Sequence, residues 1–371
     1  MILNLKVGGL GMRKISLENV QPGMVLGKPI FGGSGQVLLN TGVEIKPQYL
    51  LYLENMGINA IYIEDKRIEG LEINDVISEK TRRETRSLVK EFMGDIQSKG
   101  AQSKSLVIKD KKIAQTVSRI IEELLNNKDM LVSLLDIRAK GDYLYAHSVN
   151  CCVLATLTAI EMKMDNDNLR CLATGALLHD LGMATVPENI LQKAGELTHD
   201  EYETVKNHTI YGHEIFKKSP IYSARAGVII LQHHERYNGQ GYPNGIDGHK
   251  INRLAQIAAL ADVYDALTSE RPYRKAFQPH QAVEMLQAWG NVYFDLEILR
   301  HFLTNIAPYP LGTHVFLSNK ESGLVTDCKP GYALRPTVRV LYTGEDLAPH
   351  PAPYDLDLSE VLDLVILDVL D

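Results

Sequence analysis

Apolar residues recur at helical spacing through most of the stretch from residue 110 to residue 305 of this 371-residue chain. The clearest segment is 142–161, where Ala146, Val149, Val153 and Leu157 fall on one helix face. Similar segments, separated by glycines or prolines, lie at 169–181, 200–217, 224–234, 254–267 and 279–289. The pattern predicts a helical domain over residues 110–307.

The segments on either side of this helical region have a different character. Residues 13–66 alternate short apolar runs with glycine turns, which predicts a hairpin near 29–39 and a helix from Lys46 to Met56. Strand-like runs return at 313–317 and 337–341. We therefore predict a mainly α protein with a small α+β domain at 1–66, a helical connector at 67–109 and a β-rich extension at 308–371. Residues 1–11 are a candidate upstream extension, because Met12 is an alternative start.

Composition limits the class of protein. The net charge of −7 argues against a protein that coats nucleic acid, because such proteins carry a basic face. The four cysteines form no C-x-x-C pair, and Cys151 and Cys152 are interpreted as small core residues. No run of about 18 apolar residues is present, so no membrane-spanning helix is expected. These features predict a reduced, cytoplasmic protein.

Histidine and aspartate side chains recur through the helical region at intervals of about one helix–turn–helix unit. The set comprises His147, His179, Asp180, His208, His233, His234 and Asp262. Apart from the adjacent pairs, successive members lie 25 to 32 residues apart. A helical bundle can bring such positions together, since its ligands project inward from separate helices.

The donor types in this set indicate the metal and its chemistry. Five imidazoles and two carboxylates offer nitrogen and oxygen, which suits iron, manganese or zinc and disfavours a cysteine-rich structural site. Seven ligands exceed the four of one tetrahedral ion, so a pair of ions bridged by a carboxylate such as Asp180 fits better. Metal pairs about 3.5–4 Å apart serve in-line displacement at phosphorus. The set therefore predicts two transition-metal ions, iron or manganese first, that hydrolyse a phosphodiester.

Three stretches around these residues match the pattern of a known family. They are LLHDLG at 177–182, HHERYNGQGYP at 233–243, and ADVYDALTS at 261–269 followed by RPYR at 271–274. Together they resemble the HD-GYP family of bacterial phosphodiesterases, which degrade cyclic di-GMP. The resemblance covers about residues 140–305 and implies an HD-type helical bundle in which the seven residues bind metal.

The resemblance also implies roles for residues beyond the ligands. Arg271 and Arg274 occupy positions where the family contacts substrate phosphate, and a guanidinium binds phosphate oxygens bidentately. Asp265, nearly on the helix face of Asp262, is expected to orient a ligand or the attacking water, with a local cap or ion pair as the alternative.

The loop Gly241–Tyr242–Pro243 is implied to line the substrate groove, where the Tyr242 ring can stack on guanine. The same loop contacts partners in the family, so GGDEF-type signalling proteins are candidate partners. The charged helix at 67–109 is interpreted as a connector, with a dimerising helix, and hence a homodimer, as the alternative. Family members with a third metal carry a glutamate four residues before the first histidine, and Tyr143 stands there in this chain. Two ions are therefore expected.

The chain departs from the family pattern at Met183, where the usual HD-x-G-K has lysine. A lysine at this substrate-binding position can donate to a phosphate or leaving oxygen, whereas a thioether cannot. Loss of one positioned donor lowers such a rate by about 10²–10³-fold. Asn238, Asn252 and Gln256 replace the usual Asp, Pro and Arg.

Two functions of different classes stay open from the sequence. The first is a cyclic di-GMP phosphodiesterase, slow because of Met183. The second is a regulatory module that binds metal, a cyclic dinucleotide or partner proteins with little turnover. The complete ligand set favours the first, and Met183 favours the second. A different phosphohydrolase, such as a nucleotidase, is a third hypothesis, against which the Gly241–Pro243 segment argues.

Overall fold

The structure is a computed structural model that describes residues 11–32, 36–56, 58, 60–68, 71, 75–99, 110–132, 143–193, 195–219, 223–269, 274–329 and 331–370. The chain forms two compact units. The first comprises Met1–Asp75, Leu135–Tyr143 and Ala307–Asp371, and the second comprises Val76–Leu134 and Leu144–Ile306. The four-part division drawn from the sequence stays a prediction.

The N-terminal part of the first unit is a small α+β arrangement. Strand β1 (Gly11–Ser16) pairs antiparallel with β4 (Ala60–Asp65), and β2 (Ile30–Phe31) forms a hairpin with β3 (Val37–Leu39). Helix α1 (Pro47–Asn55) begins at a proline, which has no backbone N–H. At the first position of a helix an N–H would have no intrahelical partner, so proline costs no hydrogen bond there. Buried aliphatic side chains from these elements form one core, as the apolar pattern predicted.

The C-terminal part of the first unit is a five-stranded antiparallel sheet in the order β8–β7–β6–β5–β9. Its strands are β5 (His314–Leu317), β6 (Glu321–Asp327), β7 (Thr337–Thr343), β8 (Ala348–Asp357) and β9 (Ile366–Leu370). Val315 and Leu317 on β5, and Val338 and Val340 on β7, point to the buried face at the two-residue period of a strand.

The second unit is helical around one continuous apolar core. Its helices are α2 (Glu79–Lys99), α3 (Asp110–Asn126), α4 (Tyr143–Glu161), α5 (Asn166–Leu177), α6 (Glu188–Leu191), α7 (His199–Lys206), α8 (His208–Lys217), α9 (Ala224–Gln232), α10 (Arg253–Thr268), α11 (Pro279–Ala288) and α12 (Leu296–Leu303). The mainly α class predicted from the sequence is confirmed. The predicted connector contains α2, whose Val89 and Phe92 are buried in this core.

Helix α4 runs through the interior of the second unit. Every residue from Ala146 to Ala159 is buried. In the described part of the chain it is the single helix long and apolar enough to cross a membrane, yet 78% of its apolar window is buried inside the protein. A helix that is apolar all round is typical of a protein core. Its polar residues, including His147 and Asn150, therefore need buried partners.

The largest differences from the predicted helix boundaries lie at Asn207 and at the end of α5. The segment 200–217 was predicted as one helix, but it is divided at Asn207 into α7 and α8. The Asn207 side-chain amide donates to the carbonyl of Glu203 at 3.0 Å, a local bond of the kind that competes with helix propagation. The apolar spacing continues across the break, so the pattern alone cannot show it. Likewise α5 ends at Leu177, four residues before the predicted end.

Gly182 sits at a close approach of two backbones. It lies in a 3₁₀ turn, Leu181–Thr185, which follows α5. A Cβ at Gly182 would lie 1.9 Å from the carbonyl oxygen of His208 and 2.7 Å from the amide nitrogen of Gly212. Only glycine lets this turn rest against the first turns of α8.

We expect Gly182→Ala to destabilise the protein by about 1–3 kcal/mol or more, because backbone atoms must separate to admit the methyl group. The matched control is Gly94→Ala, since a Cβ at Gly94 within α2 meets open space. That change should be neutral or stabilising by about 0.5–1 kcal/mol. Urea unfolding of both variants measures the difference, and equal stabilities would contradict the close approach.

Candidate metal centre

Three of the predicted ligand histidines occupy the same local position, at or just beyond the C-terminal end of a helix. His179 follows α5, His208 follows α7, and His233 follows α9. In each case Nδ1 bonds the carbonyl three residues earlier, at 2.7 Å (Ala176), 2.7 Å (Val205) and 2.9 Å (Ile230). These carbonyls belong to the last helical turn, where the regular N–H donor four residues further along is not part of the helix.

These bonds determine which ring nitrogen faces the site. A carbonyl oxygen only accepts, so Nδ1 of each histidine carries the proton and Nε2 presents a lone pair. The Nε2 atoms of His208 and His233 lie 3.2 Å apart, where neither can donate to the other. Nε2 of His179 is buried and has no hydrogen-bond partner among the residues that the structure describes. Such converging acceptors fit a bound metal ion.

His147, on the core helix α4, has the same tautomer, but a carboxylate instead of a carbonyl accepts its Nδ1 proton. Its Nδ1 lies 2.7 Å from Oδ2 of Asp265 on α10, and a carboxylate, like a carbonyl, accepts the proton. Its Nε2 is then also a lone pair, and it lies 3.0 Å from Oδ1 of Asp262. A carboxylate behind a histidine in this way orients the ring and makes it a stronger ligand.

The carboxylate of Asp180 lies between two pairs of histidines. Its Oδ1 is 3.3 Å from Nε2 of His208 and 3.9 Å from Nε2 of His233. Its Oδ2 is 3.4 Å from Nε2 of His179 and 3.7 Å from Nε2 of His147. One oxygen therefore faces each pair, which is the arrangement that a bridging carboxylate needs.

The described residues contain two groups of side chains that could each hold an ion. The first group is His147, Cys151, His179 and Asp262; the second group is Asp180, His208, His233 and His234. Within each group the ligand atoms lie within 4.8 Å of one another. The two groups contain all seven of the predicted ligands.

Electrostatics favour metal-binding protonation states at His233, His234 and Asp180. Burial, reinforced by neighbouring imidazoles, lowers the pKa of His233 and of His234 well below the ordinary value, so both are neutral near pH 7. For Asp180 burial acts to raise the pKa, but His179 and the other imidazoles hold it well below the usual range. Burial lowers the pKa of His179, yet Asp180 raises it overall, so this ring takes up a proton more readily than His233 or His234, and a bound ion would take the place of that proton.

Cys151 is the member of the first group that sequence reasoning assigned only to the core. Its Sγ lies 3.6 Å from Nδ1 and 3.7 Å from Nε2 of His147. Nearly equal distances to both nitrogens place the sulfur over the ring rather than along the Nε2 lone pair. Burial raises the pKa of the thiol to about 12, so Cys151 packs against the ligand as a neutral group.

Comparison with known proteins agrees with this geometry. Residues 119–298 match the family model described as HD domain.

Residues 119–298 are an HD domain.

The chain is 34% identical over 235 residues to a cyclic di-GMP phosphodiesterase of Pseudomonas aeruginosa, a match covering 63% of this chain and 56% of that protein. It is 39% identical over 143 residues to the cyclic di-GMP phosphodiesterase response regulator RpfG of Xanthomonas campestris, covering 38% of each. It thus spans about half or less of these relatives.

A solved structure shares the fold. It is a protein of Bdellovibrio bacteriovorus described as an HDG"Y"P protein, with a TM-score of 0.51 and 18% identity. The match covers 78% of this chain and 98% of that one. The family model and the named relatives confirm the family predicted from the sequence motifs, and this neighbour confirms its fold.

A loop of the HD domain is fastened beside the second group by Glu235. This buried carboxylate accepts from the backbone N–H of Asn244 at 2.8 Å and of Ile246 at 3.1 Å. The loop returns so closely that a Cβ on Gly241 would lie 2.4 Å from Cα of Glu235. The sequence analysis quoted Glu235 in its motif but gave it no role. The signal in the sequence for this role was an acidic residue directly after two predicted ligands.

The same loop places Tyr242 against a ligand. The Tyr242 ring stacks on His234, with centroids 4.6 Å apart and planes 26° apart. Its backbone N–H donates to the carbonyl of His234 at 3.1 Å, and the following bond to Pro243 is cis. Burial raises the pKa of the Tyr242 hydroxyl, so this group stays protonated.

The predicted substrate residues differ in where they lie. Met183 is half-buried in the 3₁₀ turn after Asp180. Arg274 donates to the carbonyls of Ala266, at 2.7 Å, and Leu267 near the end of α10, so much of its guanidinium is engaged with backbone. Arg271 lies outside the described residues. Contact of these side chains with substrate stays a prediction.

The three smaller departures from the family pattern have local structural roles. Asn238 accepts from the N–H of Gln240 at 3.1 Å within the loop. Asn252 caps α10 by accepting from the N–H of Leu254 at 2.9 Å. The Gln256 amide donates to backbone carbonyls at 3.1 Å. None of these contacts involves a ligand atom of the two groups.

We expect Glu235→Gln to loosen the loop while both metal groups persist. The amide keeps one acceptor oxygen but turns an NH₂ toward one of two backbone N–H donors, which costs about 1–3 kcal/mol for an unsatisfied buried group. Hydrogen exchange should show faster exchange at the amides of Asn244 and Ile246. Exchange at Leu254, capped by Asn252 instead, serves as the internal control, and unchanged loop protection would contradict the role of Glu235.

Proposed function

We propose that this chain is a metal-dependent phosphodiesterase that hydrolyses cyclic di-GMP. The observation that carries the proposal is the convergence of four Nε2 lone pairs, from His147, His179, His208 and His233, on the two oxygens of Asp180. The names of the relatives in Pseudomonas aeruginosa and Xanthomonas campestris support the substrate.

The proposed cofactor is a pair of transition-metal ions. The nitrogen and oxygen donors of the two groups suit iron or manganese, with zinc as the alternative. When bound, such a pair activates water and stabilises the oxygens of an in-line displacement. Asp180 would bridge the two groups, Asp262 and the five histidines would complete them, and Asp265 would hold His147 in the tautomer that binds metal.

Substrate binding is proposed for the side chains that lie beside the second metal group. Tyr242, with its flanking Gly241 and Pro243, offers an aromatic surface for a guanine base. The ammonium of Lys206 lies 5.7 Å from the Tyr242 centroid and 5.0 Å from that of Tyr202. It is held there by an exposed ion pair with Glu203 at 2.6 Å. We infer that Lys206 supplies a phosphate-binding charge where Met183 cannot.

A second candidate function is a regulatory module that binds metal and cyclic dinucleotide with little turnover. Met183 favours it, because a thioether in the turn after Asp180 cannot donate to a leaving oxygen. A GGDEF-type partner, a homodimer and a cytoplasmic location remain proposals from the sequence. The free cysteines among the described residues are compatible with a reducing compartment.

Turnover separates the two candidates. Purified protein loaded with Mn²⁺, or with Fe²⁺ under anaerobic conditions, should convert cyclic di-GMP to linear dinucleotide or GMP. Cyclic di-AMP and cyclic GMP–AMP serve as comparison substrates. Asp180→Asn should lower the rate of hydrolysis by more than about 10–100-fold, which is the loss typical of changes to partners behind the ligands. Measurable binding of cyclic di-GMP without product at stoichiometric enzyme would sink the phosphodiesterase proposal and favour the regulatory module.

The charge inference predicts how two substitutions combine. Lys206→Met should raise KM for cyclic di-GMP by about 10-fold or more, because one phosphate contact worth about 1.5–3 kcal/mol is lost. Met183→Lys should raise kcat, and the double variant should recover part of the loss. Lys193→Met is the matched control, since Lys193 forms a similar ion pair with Glu201 at 2.5 Å but no ring contact to Tyr242 is observed for it. Equal effects of the two methionine changes would contradict the inference.

A further inference from the structure

Arg82 is a buried cation on α2. It is 3% exposed, and its Nη1 donates to Oδ1 of Asn150 on α4 at 2.6 Å. A charged side chain is rarely buried this deeply unless its partners compensate the loss of water. The contact joins the first turn of α2 to the core helix that carries His147.

The chemistry of its neighbours fixes the orientation of Asn150. Its Nδ2 lies 2.7 Å from Oδ1 of Asp265. A guanidinium only donates and a carboxylate only accepts, so the amide oxygen must face Arg82 and the amide nitrogen must face Asp265. Asn150 is fully buried, and a reversed amide would oppose donor to donor on one side and acceptor to acceptor on the other.

The carboxylate of Asp265 connects Asn150 to a predicted metal ligand through hydrogen bonds. Its Oδ1 accepts from Asn150, and its Oδ2 accepts from Nδ1 of His147 at 2.7 Å and from Ser269 at 3.3 Å. We propose that Arg82 is a positioning residue for the first metal group, acting through Asn150 and Asp265 on His147. This inference rests on the metal pair of the proposed function.

The position of Arg82 is itself fixed by polar contacts. At the start of α2, the carboxylate of Glu123 on α3 accepts from the backbone N–H of Ser78 at 2.5 Å and from the Thr81 hydroxyl at 2.6 Å. Arg82 is the next residue after Thr81. The first turn of α2 is thereby fastened to α3, so the geometry at the ligand His147 depends on how α2 and α3 are held together.

Stepwise metal binding tests the proposal without substrate. Full-length protein stripped of metal is titrated with Mn²⁺ and followed by calorimetry and by electron paramagnetic resonance. Arg82→Met should weaken one of two binding steps by about 10–100-fold and leave the other step unchanged, as expected for an outer-shell partner of one ligand. Arg82→Lys, which keeps a buried donor and charge, should recover most of the affinity. Arg83→Met, at the next position of α2, is the control and should behave as wild type.

A second variant covers the case in which Arg82→Met does not fold. Asn150→Asp keeps the partner of Arg82 but cannot donate to Asp265, so it should weaken the same binding step. Wild-type affinities in Arg82→Met would overturn the proposal. So would equal loss of both steps with a lowered unfolding temperature of the metal-free protein, because that result indicates a structural role. Failure of the wild type to bind two ions would instead overturn the proposed function and the inference with it.

Discussion

The bond between a histidine Nδ1 and a carbonyl in the last turn of a helix is the constraint on which the site depends. It occurs at the ends of α5, α7 and α9, and it requires each helix to stop within a residue or two of its ligand. The helix end leaves a carbonyl without its regular donor four residues further along, the histidine donates to it, and the same bond directs Nε2 toward the neighbouring histidines. Helix termination and ligand orientation are therefore one structural feature.

This feature explains which parts of the site the sequence could predict. The clustering of the seven predicted residues was accessible, because intervals of 25 to 32 residues repeat one helix–turn–helix unit that a bundle brings together. Helix ends were not accessible. Apolar spacing continues through Asn207 and past Leu177, although the structure ends a helix at each. The termination depends on contacts of the ligand, such as His208 with Val205, that periodicity does not record.

Contacts between distant segments were the second part that the sequence could not give. Arg82 and Asn150 are 68 residues apart, and Asn150 and Asp265 are 115 apart. Neither helix spacing nor a motif relates them, since α2 reaches α4 only through the packing of the unit. Glu235 is the opposite case. Its partners Asn244 and Ile246 are close in sequence, but they are backbone N–H groups, which no residue type reveals.

Charge balance ties these contacts to the proposed chemistry. Asp180, Asp262 and Asp265 are buried close together, and burial lowers the pKa of His233 and His234, so these two histidines do not balance the negative charge. Buried carboxylates require compensating positive charge. Arg82 offers one positive charge at the outer end of the hydrogen-bonded series Arg82–Asn150–Asp265. Two divalent ions would supply the remaining positive charge.

In the proposed function, the phosphates of a cyclic dinucleotide would bring new negative charge to a centre that two divalent ions would leave positive. A lysine at position 183 would add to that attraction from the turn after Asp180. This chain carries its nearby ammonium on α7 instead, at Lys206, against the Tyr242 ring. Because this charge lies outside the turn that carries Asp180, the proposed role of Lys206 is to attract the substrate rather than to donate to a leaving oxygen. The proposed function therefore assigns substrate binding to Lys206 and links turnover to position 183, and neither residue is a predicted metal ligand.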